Sequence, residues 1–83
     1  MKKAKLKRLQ EELSVITTHA EIDKYGIKIH LESLRYRTDG AAKLLEILQW
    51  VNQTREFSMN LNWEISWGYY NDVDGIDLKI SFK

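Results

Sequence analysis

The sequence predicts one α+β domain with the element order α-β-β-α-β-β, a mostly antiparallel sheet and helices on one face of that sheet. Three observations predict it: strict alternation of apolar and polar residues in the last third of the chain, a weaker alternation between residues 16 and 36, and two segments with apolar residues three or four apart. A chain of 83 residues has room for one modest core. We therefore expect a single domain over residues 1–83, with residues 1–5 as a flexible basic arm.

The first helix is predicted from a leucine stripe. Leu6, Leu9 and Leu13 are three and four residues apart, which places them on one helix face. The β-branched run at residues 15–18 lowers helical preference, so we expect the helix at residues 4–14. Residues 15–23 fit either a strand or a helix.

A first β-hairpin is predicted between the two helical segments. Apolar residues alternate on both sides of residues 23–26, whose composition suits a turn. The register that aligns the apolar residues places Glu21 opposite Lys28. Past Leu31 the alternation changes phase, and we expect a β-bulge near Ser33 within a continuing strand.

The second helix is predicted to begin after Asp39, a residue type that commonly caps helix N-termini. A broad apolar stripe then runs through the helix. We expect this stripe, around Leu44 and Leu48, to cover Trp63 and Trp67 of the last hairpin.

The last hairpin is the clearest element of the sequence. Apolar residues alternate with polar ones in residues 57–69 and again after residues 71–75, which have turn composition. Several registers place both apolar sets on one face, and the one that sets Trp63 opposite Phe82 leaves residues 57–61 without a partner inside the hairpin. Two hairpins joined by a helix also allow a β-grasp arrangement, in which the central strands are parallel.

Side chains that carry chemistry are sparse. The chain has no cysteine, and no catalytic or phosphate-binding motif occurs in it. His19 and His30 face each other in the first hairpin, but this pair lacks further ligands, and the aspartates near the last turn do not match a calcium loop. We therefore predict no enzyme, no cofactor and no metal site. The basic start is followed by no long apolar run, so we expect no signal peptide or membrane span and a cytoplasmic location.

A surplus of apolar side chains favours a protein-binding role. Three tryptophans, four tyrosines and two phenylalanines exceed what a small core needs to enclose, and such an excess is typical of partner surfaces. We predict a small non-catalytic protein-binding domain, either a homodimer or a stoichiometric inhibitor or adaptor of a larger cytoplasmic protein. The predicted interface residues are Leu6, Leu9, Leu13, Phe57, Met59 and Leu61.

Uneven charge supports an alternative, nucleic-acid binding. Residues 1–43 contain ten basic and six acidic residues, whereas residues 44–83 contain three and six. Basic side chains near the start of the chain can neutralise phosphates, and an aromatic ring between two arginines can stack on a base. The residues predicted for this role are Lys2, Lys3, Lys5, Lys7, Arg8, Arg35, Tyr36 and Arg37.

Overall fold

A computed structural model describes residues 2–70 and 72–83; the side chain of Met59 also lies outside the described part. The predicted α+β class is confirmed, with helices packed on one face of a four-stranded sheet. The elements are α1 (Lys3–Ile16), β1 (Ala20–Asp23), β2 (Gly26–His30), α2 (Leu31–Arg35), α3 (Gly40–Thr54), β3 (Phe57–Trp67) and β4 (Val73–Phe82).

The strands follow the order β1-β2-β4-β3, and every neighbouring pair is antiparallel. The β-grasp arrangement is therefore wrong, because the two central strands, β2 and β4, run in opposite directions. The predicted register of the first hairpin is confirmed, with Glu21 opposite Lys28. Both β1 and β3 are edge strands.

The core lies between the helices and one face of the sheet. Helices α1 and α3 contribute Leu9, Leu13, Ile47 and Val51, all at most 4% exposed. These side chains pack as one cluster with buried apolar residues of α2 and of all four strands. The remaining members of the cluster are Ile22, Ile27, Ile29, Leu34, Phe57, Leu78 and Ile80.

The predicted bulge near Ser33 is wrong. The chain leaves β2 after His30 and forms the short helix α2, whose Leu34 is buried. Leu31 and Leu34 are three residues apart, so both reach the core from one side of a helical turn. The change of phase in the sequence thus marks the end of a strand.

Gly40 allows the close approach of α3 to α2, because a Cβ there would collide with the carbonyl oxygen of Leu34.

The register of the last hairpin also differs from the prediction. Trp63 lies opposite Leu78, four residues away from the predicted Phe82. The reason is the position of the turn: the Gly68 N–H donates to the Asp72 carbonyl at 2.6 Å, so that β4 begins at Val73. The turn predicted at residues 71–75 lies three residues further along the chain than the connection at residues 68–72, and it would have excluded Val73 from the strand.

The prediction that residues 57–61 lack a partner in the hairpin is wrong for Phe57 and Leu61. Phe57 pairs with Phe82 and Leu61 pairs with Ile80, with an irregularity between the two rows. The start of β3 is anchored in the core, where the ring of Phe57 stacks on that of Phe82 at 4.8 Å.

The first hairpin turns sharply at a glycine. Gly26 has a φ of 148°, a conformation that side-chain-bearing residues rarely adopt. A Cβ at this position would also collide with the carbonyl oxygen of Ile80 on β4. Asp23 completes the turn, since its Oδ1 accepts the Tyr25 N–H at 2.7 Å.

Candidate functional site

The hairpin of β3 and β4 extends past the rest of the sheet. The β2 strand ends at His30, which lies opposite Asp77 of β4. Beyond that row only β3 and β4 remain paired, through Ile65–Ile76 and onward to Trp67–Val73. A two-stranded ribbon therefore projects from a four-stranded body.

One face of this hairpin carries a row of exposed apolar side chains. Regular alternation places Leu61, Trp63, Ile65 and Trp67 of β3 on one face, and Val73 lies directly opposite Trp67. Both tryptophans are 65% exposed, and the other three residues are 47–49% exposed. We call these five residues the apolar strip.

The strip continues the face of the sheet on which the core is built. Directly opposed residues of antiparallel strands share a face. Leu61 lies opposite the buried Ile80, and Trp63 lies opposite the buried Leu78. The core face and the strip are therefore one surface, of which the helices cover only a part.

The expectation that Trp63 and Trp67 are covered by the helix around Leu44 and Leu48 is wrong. The α3 helix packs on the start of β3, where the ring centroid of Trp50 lies 5.8 Å from that of Phe57. The alternating pattern correctly predicted a shared face, but the helix lies over the body and leaves the strip exposed.

The opposite face of the same strands is polar and ion-paired. Glu64 Oε2 lies 3.1 Å from Lys79 Nζ and 3.3 Å from Lys28 Nζ. These contacts, with Lys79 first and Lys28 second, lower the pKa of the Glu64 carboxyl. On the same face His30 Nδ1 lies 3.0 Å from Asp77 Oδ1. The ion pairs connect β2, β4 and β3 across the sheet.

Aromatic rings also stand at the tip of the ribbon. Tyr69 and Tyr70 are highly exposed, and their rings meet edge to face at 4.9 Å. The His30 N–H donates to the His19 carbonyl at 2.8 Å, so the two histidines lie opposite each other as predicted. Their side chains have different partners: His30 contacts Asp77, and His19 Nε2 lies 3.3 Å from a guanidinium nitrogen of Arg37. Within residues 2–70 and 72–83, no three His, Asp or Glu side chains are grouped so that they could hold a metal ion.

Half of the predicted interface residues are inaccessible to a partner in this fold. Leu9, Leu13 and Phe57 are buried in the core, because the leucine stripe of α1 faces the sheet. Leu6 is partly buried against the same core, and Leu61 is exposed in the apolar strip. The prediction for Met59 falls on a side chain outside the described part of the structure.

The predicted nucleic-acid residues lie at two ends of the molecule. Lys2, Lys3, Lys5, Lys7 and Arg8 belong to the start of the chain, where α1 begins at Lys3 and Lys5 Nζ pairs with Glu56 Oε1 at 2.7 Å. Three further basic residues that the sequence did not indicate lie beside them: Lys24 in the β1–β2 turn, Arg55 after α3 and Lys83 after β4. We call the resulting hollow the basic end; its cations are Lys2, Lys5, Lys24, Arg55 and Lys83.

The second predicted group, Arg35, Tyr36 and Arg37, follows the C-terminal end of β2. Both of its arginines pair with carboxylates. Arg35 pairs with Glu32 and stacks over the Tyr36 ring, 4.7 Å from its centroid. Arg37 Nε donates to Asp39 Oδ1 at 2.9 Å, which lowers the pKa of the Asp39 carboxyl and raises the pKa of the guanidinium. Asp39 stands at the N-cap position of α3 but makes no side-chain capping hydrogen bond.

Comparison with known proteins found no match among family models, curated proteins or solved structures. Among the helices in the described part of the chain, none combines the length and apolar character needed to cross a membrane.

Proposed function

We propose that this chain is a small non-catalytic protein-binding domain that holds its partner through the apolar strip. The observation that carries the proposal is the exposure of Trp63 and Trp67 beside three aliphatic side chains on one continuous face. Folded monomers rarely leave contiguous apolar patches larger than a few hundred Å² in water, and larger patches mark interaction sites.

The composition of the strip fits the anatomy of a protein interface. Tryptophan is enriched among the residues that contribute most binding energy, because one ring buries a large apolar area at a small entropic cost. Burying a large apolar side chain fully contributes roughly 1.5–3 kcal/mol. The charged face around Glu64 points the other way, so a partner can cover the strip without desolvating that carboxylate.

Anchoring of the strip supports the same proposal. Leu61 and Trp63 lie opposite Ile80 and Leu78, which are fixed in the core. A preorganised surface loses little conformational freedom on binding. A chain without cysteine suits a reducing compartment, so we propose that the protein bound by the strip is a cytoplasmic one.

A pull-down with matched variants tests the proposal. Tagged wild-type chain, the double variant Trp63→Ser/Trp67→Ser and the control Tyr25→Ser are each exposed to nuclease-treated lysate. Tyr25 is also an exposed aromatic residue, but it lies in the β1–β2 turn, away from the strip. We expect a protein retained stoichiometrically by the wild type and the control and lost with the double variant. Equal retention by all three chains would contradict the proposal.

The basic end favours a second candidate function, nucleic-acid binding. Five cationic side chains line one hollow, and Glu56 is the one acidic side chain among the described residues that line it. Such a hollow can neutralise phosphates, and the affinity then falls with salt.

Salt titration with a labelled single-stranded oligonucleotide tests this candidate. Each phosphate contact contributes about 0.7 to the slope of log K against log salt, so Lys24→Gln/Lys83→Gln should lower the slope by about 1.4. The control Arg35→Gln/Arg37→Gln should leave it unchanged, because these arginines lie elsewhere and pair with Glu32 and Asp39. Binding that ignores both salt and the lysine variant would exclude this function.

A further inference from the structure

We infer that the partner covering the apolar strip is a second copy of this chain, with the two β3–β4 hairpins stacked face to face around a two-fold axis. The inference rests on the proposed protein-binding function and specifies its partner. Three observations support it: the exposed apolar area of the strip, the shape of the monomer and the absence of charged residues in the strip.

The shape of the monomer leaves a vacant layer that a second ribbon fits. Helices α1 and α3 form a layer over part of the sheet, and the strip face of the β3–β4 hairpin has none above it. A helix is about 10–12 Å across, and stacked sheets lie about 10 Å apart. A second ribbon therefore has the thickness of the missing helix layer. Two-fold symmetry makes the exchange reciprocal, so that each ribbon covers the other.

The charge of the strip permits self-association. All five strip residues are neutral, so the strip itself brings no like charges together on stacking. Glu64 is the only charged residue in β3, and it lies on the opposite face with Lys28 and Lys79. Its ion pairs remain in place when the strip is covered.

The exposed area reaches the lower size limit of a specific dimer when all of it is buried. A tryptophan side chain offers up to roughly 250 Å², so two rings at 65% exposure present about 300 Å² in each chain. Two copies thus supply about 600 Å² from tryptophan alone. Leu61, Ile65 and Val73 bring the total to about 1,000 Å², which is where specific interfaces begin.

Stacking accounts for the exposed rings better than edge pairing does. The free edge of β3 can also pair with another strand, since this strand contains no lysine, arginine or proline that would discourage pairing. Edge pairing would leave the faces of Trp63 and Trp67 in water, because side chains project perpendicular to the plane of strand pairing. Stacking removes those faces from water, which is the larger gain.

Sedimentation equilibrium over a concentration series tests the inference. We expect a wild-type dimer, a dimer for the control Tyr25→Ser, and a folded monomer for Trp63→Ser/Trp67→Ser, with at least a 100-fold weaker self-association. Circular dichroism checks that the double variant keeps its fold. A monomeric wild type at millimolar concentration, or a double variant that dimerises as tightly as the wild type, would overturn the inference.

The result also separates the inference from the proposed function. A monomeric wild type that still retains a different protein in a tryptophan-dependent manner overturns the second-copy inference and leaves the protein-binding function standing. A monomer whose protein retention ignores the tryptophans overturns both.

Single cysteines distinguish stacking from edge pairing, because the chain has none of its own. A disulfide requires Cα atoms about 4.4–6.8 Å apart. Edge pairing around a two-fold axis brings the β3 residue nearest the axis within that distance of its own copy, whereas stacked hairpins keep the two β3 backbones about 10 Å apart. We expect Asn62→Cys and Ser66→Cys to dimerise without crosslinking under mild oxidation. Rapid crosslinking at either position would overturn the stacked arrangement.

Discussion

The two halves of one sheet face differ in what lies above them. In the body, Ile27, Ile29 and Leu78 are covered by helices and are at most 3% exposed. In the hairpin, Trp63 and Ile65 occupy the same face in the same alternation and are half to two-thirds exposed. The difference shows that strand alternation specifies a face, whereas the supply of helices decides how much of it is covered.

The largest contrast is expected between two isoleucines on this face. Ile29→Ala removes a fully buried side chain and should lower the free energy of unfolding by about 2–5 kcal/mol. Ile65→Ala acts on a half-exposed side chain and should cost less than about 1 kcal/mol in dilute protein, where self-association does not contribute. Urea unfolding of both variants measures the difference. Equal losses would show that the ribbon belongs to the core.

A pair of glycines repeats the contrast in the backbone. Gly26→Ala places a Cβ at a strained φ and against the Ile80 carbonyl, and should cost on the order of 1–3 kcal/mol or more. Gly75 lies in the ribbon, where a Cβ would meet no atom within 4 Å. We expect Gly75→Ala to be close to neutral. Thermal unfolding of the two variants compares them, and a severe loss for Gly75→Ala would contradict the open ribbon.

A smaller loss of stability is expected on acidification, because Glu64 of the hairpin forms ion pairs with Lys28 and Lys79. The folded-state pKa of Glu64 lies below the usual 4.5. The contribution of its carboxylate is therefore fully present above pH 4.5 and is lost as the pH falls through the folded-state pKa. Glu64→Gln should make the free energy of unfolding fall less steeply as the pH drops below 4.5, and so should Lys28→Met combined with Lys79→Met. Urea unfolding between pH 7 and pH 3 checks it, and an unchanged limb in both variants would exclude the ion pairs as its source.

The sequence predicts the body well, because several local signals agree there. The spacing of Leu6, Leu9 and Leu13 predicts α1, and the pairing of Glu21 with Lys28 supports the register that the first hairpin adopts. Where local signals conflict, the prediction fails. The Asp- and Gly-containing segment at residues 71–75 resembles a turn, but part of it is strand, and this displaced the predicted register by four residues.

The candidate site is predicted less well, because it depends on tertiary position. An alternating tryptophan looks the same in sequence whether or not a helix covers it, so the exposure of Trp63 and Trp67 carries no local signal. The composition of the basic end likewise has no local signal in the sequence. Lys24, Arg55 and Lys83 meet only through the fold, from a turn, a helix end and a chain terminus.

The most direct test of the central claim uses the indole N–H signals of the three tryptophans in NMR spectra of a dilution series. We predict that the signals of Trp63 and Trp67 shift with concentration as the strip is covered and exposed. Trp50, which packs against Phe57 in the body, should keep its position and serves as the internal control. Strip signals that stay fixed from micromolar to millimolar protein, or a shift confined to Trp50, would contradict the account.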